Sequence, residues 1–300
     1  MESTSNSYSG MQLLITRNPP AGFFSNYFYV LEGILEARKL GLHPVVGFPV
    51  NNSKRNTRSL TVSERWSDYF EVTEKDTASA RQEAYENLYS HYRGTLFDLS
   101  IEEISAFAKR EMPLTPKVKK EFALERDLML GGKSGYRTLG VHFRSGDMQW
   151  HPRHPTPPST RQMIDLVIET LGSFSFDNVF VATDTPKFVR LLRSSVELPV
   201  LTIQHRRLVN LGWSNKDSVR NVLLDAYLLA ACEGLVHSSS NVSLAARVLR
   251  GEKFNPRVEI NLGSNPKSLV KSVIRSLIRF ATPLRLRREP IVVTTETIDG

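Results

Sequence analysis

The chain has 300 residues, 40% hydrophobic and 23% charged, the composition of an ordinary folded protein long enough for two modest domains. A formal charge of +8 and an isoelectric point near 9.6 suit phosphate-bearing ligands, nucleic acid or an anionic membrane, and choose none of them. There is no apolar run of about 18 residues, and Met1-Glu-Ser-Thr-Ser-Asn-Ser7 lacks the basic and apolar regions of a signal peptide. The single Cys232 excludes an internal disulfide and a cysteine-rich metal site, so the expectation is a cytoplasmic protein.

In chain order, Met11-Gln-Leu-Leu-Ile-Thr16 reads as a strand and Asn18-Pro-Pro-Ala-Gly22 as the loop that ends it. A helix is expected from about Ser25, because Phe28, Leu31, Ile34 and Leu35 recur at helical spacing and Gly41 supplies a stop. Gly22 and Asn26 then lie where unpaired N–H groups favour an anion or a sugar hydroxyl, although a glycine before a helix is also just a turn. His43-Pro-Val-Val-Gly-Phe48 completes a β-α-β unit. A polar, basic stretch follows, then helices over 79–92, 100–111 (Ser100 capping, Glu103 at its third position) and 116–130. Gly131-Gly-Lys-Ser134 is not a phosphate-binding loop of the P-loop kind: Asp127 stands where the first glycine is needed, and a helix precedes instead of a strand.

From Tyr136 the alternation becomes regular. Thr138 to His142 is a buried strand, and its polarity arrives all at once as Arg144, Ser145, Gly146 and Asp147. Then come a proline-rich loop, a helix capped near Ser159, a strand from Asn178 to Ala182 and a helix opened by Pro186. A strand over 198–203, a helix over 218–232, a strand over 235–237 and a helix over 242–250 complete a doubly wound parallel sheet.

Ligands of open α/β sheets bind beyond the carboxyl ends of the strands, so Arg144 to Asp147, Thr183 with Asp184, and Ser238-Ser-Ser-Asn241 are expected to meet in one crevice. Arg144 has the planar fork that grips a diphosphate with two parallel hydrogen bonds; its alternative is a solvated ion pair with Asp147. Ser238, Ser239, Ser240 and Asn241, with Ser243 behind them, open a helix whose hydroxyls and N–H groups can donate to a pyrophosphate. Capping alone would need only one serine. Asp225 falls in a helix apolar on nearly every side, where a carboxylate is costly unless paired; it either meets an arginine such as Arg220 or Arg247 or accepts from a ligand. His142, His151 and His154 lack a fourth ligand type for zinc, and no metal or other cofactor is expected. His142 is read as part of the nucleotide site, whereas His151 and His154 titrate in the range of a general base.

The stretch His142-Phe-Arg144-Ser-Gly-Asp147 resembles the His-x-Arg-x-x-Asp signature of the fucosyltransferase superfamily, which holds the nodulation-type and α1,6-fucosyltransferases and the protein O-fucosyltransferases. Val179-Phe-Val-Ala-Thr-Asp184 and the segment Asp225 through Ser243 resemble the same family in the same order, and Gly22 and Asn26 its acceptor-side turn. That resemblance implies two Rossmann-like domains of the GT-B kind. It implies an inverting, metal-independent transfer of fucose from GDP-fucose to a saccharide hydroxyl, with Asp225 reading guanine. In the α1,6 branch a lysine follows the motif aspartate and a glutamate stands ten residues past the motif histidine; here those positions hold Met148 and Pro152. The base is therefore open among Asp147, His151 and His154. Another nucleotide sugar, or an inactive sugar-nucleotide or glycan binder, stays as an alternative. Nucleic acid is not an expected partner, because no basic platform interleaved with aromatics is present.

The expected division is an acceptor-side domain with a helical insertion over 1–134, a nucleotide-sugar domain over 135–265 and an amphipathic tail over 266–300. In that tail Leu269, Val270, Val273, Ile274, Leu277 and Ile278 share one face, while Lys271, Arg275 and Arg279 recur on another, followed by Arg285, Arg287 and Arg288. Such a segment either packs on the sheet or holds the protein peripherally at the inner face of a membrane, each basic residue contributing about 1 kcal/mol near an anionic surface. Co-sedimentation with anionic vesicles that fades with salt, and is lost when Arg275, Arg279, Arg285, Arg287 and Arg288 become Gln, is the expected outcome for membrane contact. An unbound full chain leaves the packed helix.

Overall fold

The computed structural model describes residues 12–15, 22–48, 65–73, 95–131, 137–144, 157–203, 215–251, 254, 259–261 and 292–294. The expected helix over 79–92, the tail 267–288 and the candidates Asp147, His151 and His154 lie outside them. The fold is α/β with parallel sheets. The chain divides into two compact units, 1–119 with 287–300, and 120–286.

In the first unit β1 (Gln12–Ile15) and β2 (His43–Val46) pair in parallel and are joined through α1 (Phe23–Lys39). The helix starts two residues before the expected Ser25, since Gly22 takes the extended cap conformation and Asn26 N–H already bonds the Gly22 carbonyl at 3.1 Å. It ends as its glycine requires. Gly41 takes a φ of 69°, so Gly41 and Leu42 donate back to the carbonyls of Arg38 and Ala37 in a Schellman turn. The buried face of α1 meets β1 so closely that a Cβ on Gly33 would stand 2.9 Å from Ile15 atoms. An aromatic cluster of Phe24, Tyr27, Phe48, Trp66 and Phe70 closes this core, Trp66 donating to the Phe48 carbonyl at 3.0 Å. α2 (Ile101–Glu111) has the expected capping box of Ser100 and Glu103, and Arg38 ties α1 to Glu111 at 2.7 Å. A strand that the sequence reading lacked, β8 (Val292–Thr294), pairs antiparallel with β1.

In the second unit the sheet order is β5-β4-β3-β6-β7, all parallel: β3 (Thr138–Phe143), β4 (Asn178–Thr183), β5 (Val200–Leu201), β6 (Gly234–His237) and β7 (Glu259–Asn261). The chain moves outward from β3 through β4 to β5, then returns to place β6 on the other side of β3. The order in which strands are added thus reverses between β3 and β6, the place where open parallel sheets leave a crevice. β3 carries six buried residues because it is paired on both edges and covered on both faces. Its odd-numbered side chains Leu139, Val141 and Phe143 pack with Met163, Ile164 and Val167 of α4 (Thr160–Ser173) and Phe188, Val189 and Leu192 of α5 (Pro186–Arg193). Burying each such side chain contributes about 1.5 to 3 kcal/mol.

The even-numbered side chains of β3 point the other way, toward α6 (Asn215–Ala231) and the residues that follow it. α6 begins three residues before the expected 218. α7 (Asn241–Arg250) packs along it, and Arg250 closes its carboxyl end by donating to the carbonyls of Ala230 at 3.2 Å and Cys232 at 2.6 Å. The division between units falls inside α3 (Pro116–Leu130), ahead of the glycine-rich break at 131–134. Phe122 packs on Tyr227 of α6, while Arg220 bonds Glu121 and, at 3.2 Å, Glu125.

Gly140 is the tightest point of the central strand: an added Cβ would stand 3.1 Å from Cys232 Cβ, 3.2 Å from its sulfur and 3.2 Å from the Gly234 carbonyl. Gly140→Ala is expected to lower unfolding free energy by about 1 to 3 kcal/mol in chemical denaturation. An unchanged midpoint would show that β3 and the turn after α6 can part at no cost.

Candidate functional site

Because β3 pairs in register with both neighbours, its end is level with theirs: Phe143 stands beside Thr183, and His142 lies between Ala182 and His237. Three strand ends therefore deliver Arg144, Thr183 with Asp184, and Ser238 with Ser239 to one edge, as their positions in the sequence predict. Thr183 donates to the Phe143 carbonyl and accepts from Thr185 N–H at 3.1 Å, fixing the turn into α5. Asp184 projects from that turn, taking the Thr185 hydroxyl on one oxygen at 3.0 Å and facing Arg144 Nε with the other at 3.9 Å. Both charged side chains are part-exposed, at 36% for Arg144 and 28% for Asp184. At this distance and exposure the pair is worth at most about 1 kcal/mol.

The serine run is used differently from the expectation. Ser240 caps α7, accepting Ser243 N–H at 3.2 Å, while the Ser243 hydroxyl donates to the carbonyls of Ser238 and Ser240. Ser238 is buried, its N–H held by the His142 carbonyl at 3.1 Å and its hydroxyl 3.5 Å from Arg144 N–H. Ser239 and Ser240 are half-buried and Asn241 is exposed. Capping thus accounts for Ser240 and Ser243, and the helix still presents its positive end at the strand edge.

His142 is 4% exposed and engages both ring nitrogens inside the fold, Nδ1 with the Ala182 carbonyl at 3.2 Å and Nε2 with Ser240 Oγ at 2.7 Å. Asp225 is 1% exposed on α6. Arg220, one partner expected for it, is instead held by Glu121 and Glu125. A base reaches the Asp225 carboxylate only if its cover moves. Gly22 and Asn26 belong to the first unit. Neither backbone nor packing requires a glycine at 22, where φ is −64° and an added Cβ meets nothing within 4 Å, and Asn26 is wholly buried in the first turns of α1.

The buried Cys232 thiol is pushed up by desolvation, which keeps it protonated and unreactive. Among the described residues no three His, Cys, Asp or Glu side chains come together as a metal site would need. Two members of this edge were missed from the sequence, Thr185 and His237. The first has a visible signal, a hydroxyl just before the Pro186 that opens a helix. The second sits at the end of a short apolar strand and reveals its place only through cross-strand register.

No protein-family model and no curated protein matches the chain. Solved structures do, and they are structures of fucosyltransferases at low identity. NodZ α-1,6-fucosyltransferase co-crystallised with GDP aligns with a TM-score of 0.55 at 15% identity, over 80% of this chain and 92% of that one. NodZ from Bradyrhizobium gives 0.52 at 14%, over 80% and 93%. POFUT1 in complex with GDP-fucose gives 0.54 at 12%, over 85% and 98%. At such identity the likeness is one of fold.

Thr183→Val keeps the shape of the side chain but removes both hydrogen bonds that hold the β4 turn. The expected loss is about 1 to 3 kcal/mol of stability, with faster amide exchange at Thr185 than at core positions. Unchanged exchange at Thr185 would show that the turn is held by something else.

Proposed function

We propose that the protein is a glycosyltransferase with two Rossmann-like domains of the GT-B kind, the second built on a doubly wound sheet. Its donor is GDP-fucose, its acceptor a saccharide or glycan hydroxyl, and it inverts the anomeric carbon without a metal. The observation that carries this reading is the convergence of Arg144 and the amino end of α7 at the ends of β3 and β6, in a fold shared with proteins crystallised with GDP and GDP-fucose.

In the proposed reaction a base takes the proton of the acceptor hydroxyl as its oxygen bonds the anomeric carbon. The bond from that carbon to the β-phosphate oxygen breaks on the opposite face, and its electron pair leaves with GDP. Charge therefore grows on the diphosphate. In this proposal Arg144 and the first N–H groups of α7 balance it, the work a divalent ion does elsewhere. Asp147, His151 and His154 follow β3 closely in the chain and are the candidates for the base. Asp225 reads the guanine edge in this proposal, accepting its two adjacent N–H donors. Met148 and Pro152 favour a second reading, a binder that holds the nucleotide sugar without turning it over.

GDP release from GDP-fucose separates the two, since a binder takes up the nucleotide and releases none. Arg144→Lys keeps the charge and loses the fork, and release is expected to fall about tenfold or more, in line with about 1.5 to 3 kcal/mol for a charge-assisted hydrogen bond. Wild-type release in that variant would remove Arg144 from the site. Asp225→Asn turns one acceptor into a donor facing a donor, so GDP affinity should fall while UDP binding stays poor. Unchanged GDP affinity in the folded variant would make Asp225 a structural residue.

A further inference from the structure

His142 lies in the middle of the strand edge, yet its ring is spent inside the protein. Its Nδ1 faces the Ala182 carbonyl at 3.2 Å, and a carbonyl only accepts, so Nδ1 carries the proton. In the neutral ring Nε2 is then an acceptor, and its partner at 2.7 Å is the Ser240 hydroxyl. Ser240 Oγ in turn accepts Ser243 N–H at 3.2 Å from the first turn of α7. The donors therefore run in one direction, from α7 through Ser240 and the ring to the backbone of β4. The backbone carbonyl of the same residue accepts Ser238 N–H at 3.1 Å, so the strand holds the β6–α7 turn at two points. The Ser240–His142 distance also fits a nucleophile and its base, but this hydroxyl is committed to capping, and Ser240 has an ordinary extended backbone with φ of −158°.

We propose that His142 is a positioning residue that acts through Ser240, registering the amino end of α7 against the end of β3 and so against Arg144. The proposal rests on the donor-binding reading of that edge. It differs from direct contact with the donor in what it demands of the side chain: an acceptor at the Nε2 position, directed at Ser240, and no reach toward the ligand. Two substitutions divide those demands. His142→Gln places an amide oxygen near the Nε2 position and can restore the bond from Ser240. His142→Asn places its amide near Nδ1, and so keeps a donor for Ala182 while giving Ser240 nothing.

The test uses the full chain, with GDP titrated by calorimetry, thermal melting as the control for folding, and ring nitrogen NMR of the ligand-free protein. The expected result is a ring protonated on Nδ1, GDP affinity lowered about tenfold or more in His142→Asn, and affinity within about threefold of wild type in His142→Gln. Equal GDP affinity in wild type and His142→Asn would overturn the proposal while leaving the donor reading intact. Equal losses in the two variants would also overturn it, because the bond to Ser240 would not be what matters. If the wild type itself takes up no GDP, the donor reading fails, and the NMR decides on the clamp alone. Nδ1 protonation that is disturbed by Ser240→Ala upholds it, and a proton on Nε2 overturns it.

Discussion

A strand paired in parallel on both edges and covered on both faces has no place for an open charge along its length, and β3 is such a strand. Its backbone groups are satisfied by β4 and β6, its apolar side chains by packing and the His142 ring by hydrogen bonds, so the first formal charge comes with Arg144, just past its end. Register extends that constraint to the neighbours. With Phe143 level with Thr183 and His142 level with His237, the polar residues that end three strands arrive at one height. The reversal of strand order between β3 and β6 then sets the helix end of α7 beside Arg144, where two consecutive strands joined by one helix could not.

In the proposed site the charges suit an anion. Arg144 brings a positive charge that faces Asp184 at 3.9 Å, and the amino end of α7 adds roughly half a charge. Neither depends on a bound ion. The network behind them is internal to the fold, with His142, Ser240, Ser243 and Ser238 joined by bonds of 2.7 to 3.2 Å. Such a division of labour is what a diphosphate site requires: groups that can be given up to the ligand in front, and groups that cannot move behind.

Local features of the fold were legible in the sequence because local rules decide them. The Ser100 and Ser159 caps, Pro186 at the head of α5 and the Gly41 stop each follow from a backbone requirement met within a few residues. Elements decided at long range were not legible. β8 joins β1 from the far end of the chain, and nothing in Val292–Thr294 names its partner. β5 is two residues long, shorter than its apolar stretch suggested, because only Val200 and Leu201 find partners in β4. At the site, residue type revealed which strand ends were polar but not how each hydroxyl was used. A serine that caps a helix and one that faces a ligand have the same spelling. Only distances show that Ser240 serves α7 and His142, that Arg220 belongs to α3, and that Asp225 is sealed.

The central claim is that this strand edge is a site for a guanosine diphosphate and needs no metal. Its most direct test is calorimetric titration of the full chain with GDP, and separately with UDP, in buffer containing EDTA. The account predicts that GDP binds with an affinity unchanged by removing EDTA and adding Mg²⁺ or Mn²⁺, and that UDP binds far more weakly. A chain that takes up neither nucleotide, or binds GDP only once a divalent ion is supplied, would contradict it.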